Sequence, residues 1–453
     1  MKKNLFKLGI GILVIGASIL TACTKEGPMG PAGANGTNGT NGTNGTNGVD
    51  GVDGASTCTE CHNPTTVDLI ATQFEFSKHS YGEAAFEESG NTGCTPCHAS
   101  EAFKYVCANN VPTAFVLGTN GKYTNPYATV ATDAYGEITC STCHSSIHQT
   151  YTLEQDLPAL TTVAPVSMTM WGGAKTIDLP AQGHSSNLCV KCHQPRPFTN
   201  SSTNGNVLNY DSLVQFPSIT FYAKTNPDQV NKLKPAYRTH THYGTVGAIV
   251  AGVGGVEFPG ESYSNSPHTT VAACQDCHMA TINGRAGGHT FNAAGNFNGC
   301  NVEGCHKDAP LNASSSKFKD TQTAIKDKLA TLAGLLKVNG IEIMNRNPTS
   351  DNLWVGKTAN NYDGYLNIYD PINNPDGIAN NTAGGGTFQN PSPSSSWSQA
   401  QKDLNASLPL ITLTNAQMGA IINFQLCLRE YSLGIHNTSY SKALLNNTIA
   451  AID

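Results

Sequence analysis

The chain has 453 residues, a formal net charge of −6 and only 13% charged residues, where an ordinary soluble domain carries about 25%. No basic run offers a nucleic-acid surface and no acidic block offers a solvating tail, so both classes are set aside. The length suffices for two or three domains.

The first residues read as an export signal. Lys2, Lys3 and Lys7 precede an apolar run from Leu8 to Leu20, which falls short of the ~20 residues needed to span a bilayer. Leu20-Thr21-Ala22-Cys23 follows. Small residues ahead of a cysteine at the end of such a run resemble a bacterial lipobox. That resemblance implies a signal peptide over 1–22, cleavage before Cys23, and lipid on its thiol and amine. Several acyl chains on one residue hold a protein on a membrane stably. Thr24 in place of Asp after the cysteine resembles outer-membrane sorting. The expected location is therefore outside the cytoplasm, lipid-anchored at the outer membrane, on its cell-surface or periplasmic face.

From Gly27 to Gly54 every third residue is glycine, ten in strict register. This is the collagen period, in which only glycine fits the axis of a triple helix. Proline occurs only at Pro28 and Pro31. Two readings stay open for 23–57 beyond the anchor: a flexible Gly-rich tether and a trimerising stalk.

Residues 58–306 carry a repeated motif. Five segments read Cys-x-x-Cys-His: Cys58, Cys61 and His62; Cys94, Cys97 and His98; Cys140, Cys143 and His144; Cys189, Cys192 and His193; Cys274, Cys277 and His278. Two thiols at this spacing add across the two vinyl groups of one porphyrin, and the adjacent histidine reaches the iron. Paired cysteines also bind zinc or form redox pairs, but five matches behind an export signal point to haem. A sixth segment, Cys300-Asn-Val-Glu-Gly-Cys305-His306, has two extra residues between its thiols. It is read as a sixth haem site, against a local disulfide with a stray His306. The predicted cofactor is six covalently attached haem c groups. Elsewhere this stretch is irregular, rich in Gly, Asn, Ser and Thr, with poor hydrophobic periodicity. Haem is expected to replace side chains as the buried surface.

Fifteen cysteines, less Cys23 and the twelve in the motifs, leave Cys107 and Cys427. They are either one disulfide in an oxidising compartment or two separate buried thiols. Of fourteen histidines, eight lie outside the motifs: His79, His148, His184, His240, His242, His268, His289 and His436. Six irons need at most six second axial ligands. A second imidazole makes the iron six-coordinate, which suits electron transfer and leaves no place for substrate.

Residues 307–453 form a helical tail. Ser316 is placed to cap a helix with Phe318, Ile325, Leu329, Leu332 and Leu336 on one face, and Gly340 is read as its stop. Between Asn345 and Ser396 the chain reads as loop, with short hairpins at most. Asp363, Asp370 and Asp376 stand there, without the twelve-residue calcium-loop pattern. A second helix starts at Thr414, with Gln417 completing a capping box, and runs to about Leu433. A third begins near Asn437.

On these residues the chain resembles the exported multihaem c-type cytochromes. The likeness covers 58–306 and the end of the tail. Ser266-Pro267-His268, Gly288-His289-Thr290-Phe291, Thr241-His242-Tyr243-Gly244 and Gly434-Ile435-His436-Asn437 resemble the stretches that supply second axial histidines in such proteins. His79, His148 and His184 are similar in placement, and His240 is treated as spare. The resemblance implies mostly irregular chain with short α-helices around a haem array, little β, and a helical C-terminal segment packed on it. The group includes nitrite-reducing enzymes, whose pattern replaces one haem-binding histidine by lysine; no Cys-x-x-Cys-Lys occurs here. It also includes surface electron conduits and filament-forming hexahaem cytochromes, which are closer in haem number. The expected function is electron transfer at the cell envelope or surface to other redox proteins or extracellular acceptors, by a chain anchored through its lipid and able to assemble through its stalk or as a filament. The alternative is a reductase or oxidase of a small nitrogen or sulfur compound at one open iron. The odd Cys300–His306 motif is the place to look for it, with Glu303 in its loop. A structural or adhesive lipoprotein has only the stalk in its favour.

Overall fold

The computed structural model describes residues 63–82, 94–109, 116–117, 123–124, 137–144, 160–171, 174–197, 208–221, 234–347, 362–373 and 386–453. Cys23, the Gly-x-x stretch, Cys58, Cys61, His62 and His148 lie outside them.

Short helices are what the attachment motifs dictate. Residues three and four apart share a helix face, so one turn places both thiols of Cys-x-x-Cys on the same side. The chain accordingly runs Pro64–Glu75 (α1), Lys78–Tyr81 (α2), Thr95–His98 (α3), Ser100–Ala108 (α4) and Cys140–Cys143 (α5). Then come Ala181–His184 (α6), Ser186–Cys192 (α7), Tyr210–Gln215 (α8), Val246–Ala251 (α9), His268–Val271 (α10) and Cys274–His278 (α11). The turns of three motifs close by a bond from the histidine N–H to the first cysteine carbonyl: 3.1 Å at His98, 3.0 Å at His144 and 3.0 Å at His193. The wider sixth segment winds no helix, yet His306 N–H still reaches Cys300 O at 3.0 Å. The two extra residues are absorbed inside the loop.

The tail holds Ser316–Leu335 (α12), Gln399–Ser407 (α13), Asn415–Arg429 (α14) and Thr438–Ile452 (α15). α12, α14 and α15 pack on one another, and α14 also meets α8 and α9. Fourteen of the fifteen residues of α14 are buried. A helix buried all round is a central one. The capping box of Thr414 and Gln417 is present, but the helix ends at Arg429 rather than near Leu433. Asn437 caps α15, its side chain accepting from Tyr440 N–H.

Among the described residues the strands form four two-stranded antiparallel ladders, Val116–Leu117 with Tyr123–Thr124, Val166–Ser167 with Thr176–Ile177, Lys337–Val338 with Ile341–Glu342, and Met344–Arg346 with Tyr362–Leu366. This mostly helical and irregular architecture is the fold class the sequence predicts. Two tail readings are corrected. Gly340 does not stop α12: Asn339 and Gly340, at φ +51° and +80°, form the turn of a tight hairpin, for which Asn-Gly is the preferred pair. The helix is preceded by Ser315 rather than Ser316, and the Ser315 hydroxyl turns away to accept from Asn312 N–H.

The body is also less dependent on haem for its interior than its composition suggests. Val166, Met168, Met170, Ile177, Leu213, Phe221, Ile249, Val256 and Phe258 join Ile325, Leu329, Leu332, Met418, Ile421, Ile422, Phe424 and Leu444 in one buried cluster. The body's share comes from segments of two to six residues, too short to show a period. Cys107 and Cys427 are both free thiols. Cys107 sits beside Cys97, Cys143 and Lys191, and burial lifts its pKa to about 11. Cys427 is enclosed within α14.

Candidate functional site

The second axial candidates are brought to the motif histidines one by one. His242 faces His98 with ring centroids 6.2 Å apart. His79, on α2, faces His193 at 5.9 Å. His436 faces His278 at 6.2 Å, and His268, at the start of α10, faces His306 at 6.3 Å. His289 is an electrostatic neighbour of His144. Each pair joins one motif histidine to one from elsewhere in the chain.

Their spacing tests whether a metal fits between them. An imidazole nitrogen lies roughly 1.1 Å from its ring centre and binds a metal at about 2.0–2.1 Å, so two imidazoles on opposite faces of one metal have centroids about 6.2–6.4 Å apart. Three of the four distances match and the fourth is slightly short. No group of three or more histidine, cysteine or carboxylate side chains among the described residues could hold a metal by itself. Two protein ligands with none between them suit a macrocycle that supplies the other four.

The other ring nitrogen decides which lone pair is offered. A ligating histidine gives its second N–H to a carbonyl or carboxylate, fixing tautomer and orientation. His278 Nδ1 is 2.9 Å from Phe291 O, and His268 Nδ1 is 2.9 Å from Ile435 O. The His193 ring bonds the Gly244 backbone. Gly244 is at φ +61°, and a Cβ there would stand 3.1 Å from His193 Nδ1, so glycine is needed for the approach. His436 Nδ1 lies 2.5 Å from the Glu430 carboxylate. In each case Nε2 is left for iron.

Ligation also needs neutral imidazole. Burial, then the neighbouring His193, brings His79 down to about 4. Burial, then Arg196, brings His242 down to about 3. Burial lowers His193, His278, His289 and His306 too. His436 is the exception. Burial works against its charge, but the hydrogen bond and the charge of Glu430 outweigh it and hold the imidazole above its ordinary value.

His240 is 6.3 Å from His242 by centroid, but its chemistry differs. Its Nδ1 accepts from His242 N–H at 3.0 Å and lies 2.9 Å from the Arg429 guanidinium. His242 already faces His98. His184 stands at the surface, its Nδ1 2.6 Å from Asp178. The motif histidine still without a described partner, His62, and the other candidate, His148, are outside the described residues.

The cysteines are as informative as the histidines. Thiols of different motifs are neighbours: Cys97 of Cys192, Cys189 of Cys274, and Cys277 of Cys300. α7 touches both α3 and α11. The Cys274 N–H donates to Ser186 Oγ at 2.9 Å, tying the fifth motif to the helix of the fourth. The third motif joins through α4, where Thr142 donates to Ser100 at 2.8 Å.

Several residues that hold this arrangement carry no motif. Asn437 accepts from Ser266 N–H at 2.9 Å, just ahead of His268, while sitting next to His436. Gln73, on α1, accepts from His289 N–H at 2.9 Å. Gln425 accepts from Thr241 N–H at 3.2 Å beside His242. Gln73 and Gln425 leave no signal in the sequence beyond an amide within a helical run, whereas Asn437 falls in the Gly434–Asn437 stretch noted above.

Paired thiols on short helices and irregular chain, four of the described motifs with a histidine facing one from elsewhere in the chain, define a multihaem c-type cytochrome. The family comparison agrees. Residues 105–336 match the cytochrome c552 family model, just over half of the chain, and the chain belongs to that family. The matched stretch contains the third to sixth motifs. Comparison with curated proteins and with solved structures gives no match.

Proposed function

We propose that this chain is an electron-transfer protein holding six covalently attached haem c groups with two histidines to each iron. It works exported and lipid-anchored through Cys23 at the outer membrane, held off the surface by its Gly-x-x tether. Its partners are other redox proteins or extracellular electron acceptors. The haems supply one-electron chemistry. The chain's residues fix where they sit and fill both axial positions.

The observation that carries this reading is the contact between attachment sites. Thiols of the second and fourth motifs are neighbours, as are those of the fourth and fifth, and of the fifth and sixth, and the helix of the fourth motif packs on those of the second and fifth. A thioether sulfur would sit at the edge of its macrocycle, so neighbouring attachment thiols would hold successive haems close. Electron transfer between cofactors weakens steeply with edge separation, and an unbroken run of adjoining sites is what conduction requires. An open-site enzyme needs an iron without a second imidazole. At the odd sixth motif, the first place to seek one, His268 faces His306. Glu303 there is exposed and paired with Lys307.

The test is low-temperature EPR on the oxidised holoprotein, with spins quantified against haem content and cyanide or nitrite added. Six haems per chain, all low spin and unreactive, are expected. One high-spin haem that takes up the ligand would move the assignment to the enzyme.

A further inference from the structure

Glu430 stands apart among the groups that touch an axial histidine. Its side chain is 1% exposed. Three donors hold the carboxylate: His436 Nδ1 at 2.5 Å, Ser432 Oγ at 2.7 Å and Gly434 N–H at 2.9 Å. No lysine or arginine among the described residues pairs with it. The adjacent Arg429 turns its guanidinium to Tyr243, Tyr365 and His240 instead. The other candidate axial histidines with an assigned Nδ1 partner, His193, His268 and His278, meet a backbone group. His184 also meets a carboxylate, but both groups are 43% exposed and solvent screens the charge.

Taking the haem-bearing reading above as given, we propose that Glu430 sets the reduction potential of the site made by Cys274, Cys277, His278 and His436, making it the most reducing of the described sites. A buried carboxylate hydrogen-bonded to an axial imidazole raises the ligand's basicity. It donates density to the iron and favours the ferric over the ferrous state, by the ligand and charge effects that set haem potentials. Reduction adds one electron beside a negative charge that no nearby cation offsets. A neutral carbonyl at the same nitrogen polarises the imidazole far less. The site is also flanked on both sides: its thiols neighbour those of the fourth and sixth motifs. Glu430 therefore places the most uphill station within the run, so electrons pass over it and come to rest on its neighbours.

The ring planes give this site its own spectral mark. His278 and His436 are 20° from parallel, whereas the other three measured pairs are crossed at 70° to 84°. Near-parallel imidazoles give a rhombic low-spin EPR signal and crossed ones a strongly axial signal. The experiment is an EPR-monitored redox titration of the wild-type and Glu430→Gln holoproteins at full haem content. In the wild type a rhombic signal is expected to be the last to disappear on reduction. In Glu430→Gln that signal's midpoint rises while the axial signals stay in place. Should the variant fail to accumulate, the wild-type order of reduction decides alone. Rhombic signals all reduced ahead of the axial ones, or midpoints unmoved in a fully loaded Glu430→Gln protein, would overturn the proposal. A high-spin iron in the wild type would instead count against the bis-histidine reading on which it rests.

Discussion

Asn437 is the residue whose loss discriminates most sharply between a scaffold that positions axial histidines and a tail that merely covers them. It is fully buried. Its carbonyl accepts from Ser266 N–H at 2.9 Å and Tyr440 N–H at 3.3 Å. Its amide donates to Ile249 O at 3.1 Å, Val250 O at 3.3 Å and Asn265 Oδ1 at 2.8 Å. In Asn437→Ala not all of these groups are orphaned. Ile249 O keeps Gly252 N–H, and Val250 O keeps the Thr269 hydroxyl. The lost cap of α15 costs about 1 kcal/mol and the stranded Ser266 N–H about 1–3 kcal/mol. The expected loss is therefore about 2–4 kcal/mol in unfolding free energy, read by denaturant titration of the holoprotein followed by far-UV circular dichroism. Because Asn437 adjoins His436 and holds the segment leading to His268, EPR of the same variant should show high-spin iron at up to two sites. A loss under about 1 kcal/mol, with every haem still low spin, would refute the positioning argument.

Three further outcomes follow from the same geometry. His268→Ala is expected to convert one haem to a high-spin form that takes up cyanide, with haem content unchanged; an all-low-spin spectrum would break the His268–His306 pairing. Asp363 is buried, and burial lifts its carboxyl to about 6 despite bonds from Tyr365 N–H and Asn345. A folded-state value above the unfolded one means its contribution is fully present below pH ~4 and is lost as pH rises through ~6, by up to roughly 3 kcal/mol. Stability of Asp363→Asn should lack that fall, and a parallel decline in both proteins between pH 4 and 7 would contradict it. Cys23→Ser is expected to move the protein from the membrane fraction to the soluble exported fraction; retention on the membrane would remove the lipid anchor from the proposed function.

What the sequence reveals here follows from what its chemistry constrains. The attachment motifs are legible because covalent addition to one macrocycle allows little freedom in spacing, and even the stretched sixth motif keeps its trailing Cys305-His306. The surplus of histidines is legible in the sequence, and the structure brings His79, His242, His268 and His436 to motif histidines while His184 meets Asp178 instead. Which one faces which iron is not legible. His242 reaches His98 and His436 reaches His278 only through the tertiary fold. The core is half legible. Ile325, Leu329 and Leu332 show a helical period on α12, whereas Met168, Met170, Ile249 and Phe258 enter from pieces too short to have one. The Asn339-Gly340 pair reads equally well as a helix stop and as a hairpin turn, and only the partner strand Ile341–Glu342 separates the two. Glu430 leaves almost no trace beyond one acid closing an apolar helix.

The amide residues of the tail explain why so irregular a body keeps its shape. A chain that wraps cofactors in loops leaves backbone N–H and C=O groups without helix or sheet partners, and buried ones must be satisfied. Asn and Gln are suited to this because one side chain supplies both donor and acceptor. α14 does it repeatedly. Asn423 bonds Val256 N–H and O, Gln425 bonds Thr241 N–H, Thr239 O and Gly364 O, and Asn415 bonds Ser212 O and Phe216 O. Charged side chains in the same places would bring desolvation costs that amides avoid. The scarcity of charge and the abundance of amides thus have one cause. The segments they fix include those leading to His242 and His268, so the tail helices are the frame on which these candidate axial histidines are set, and His436 stands within that frame.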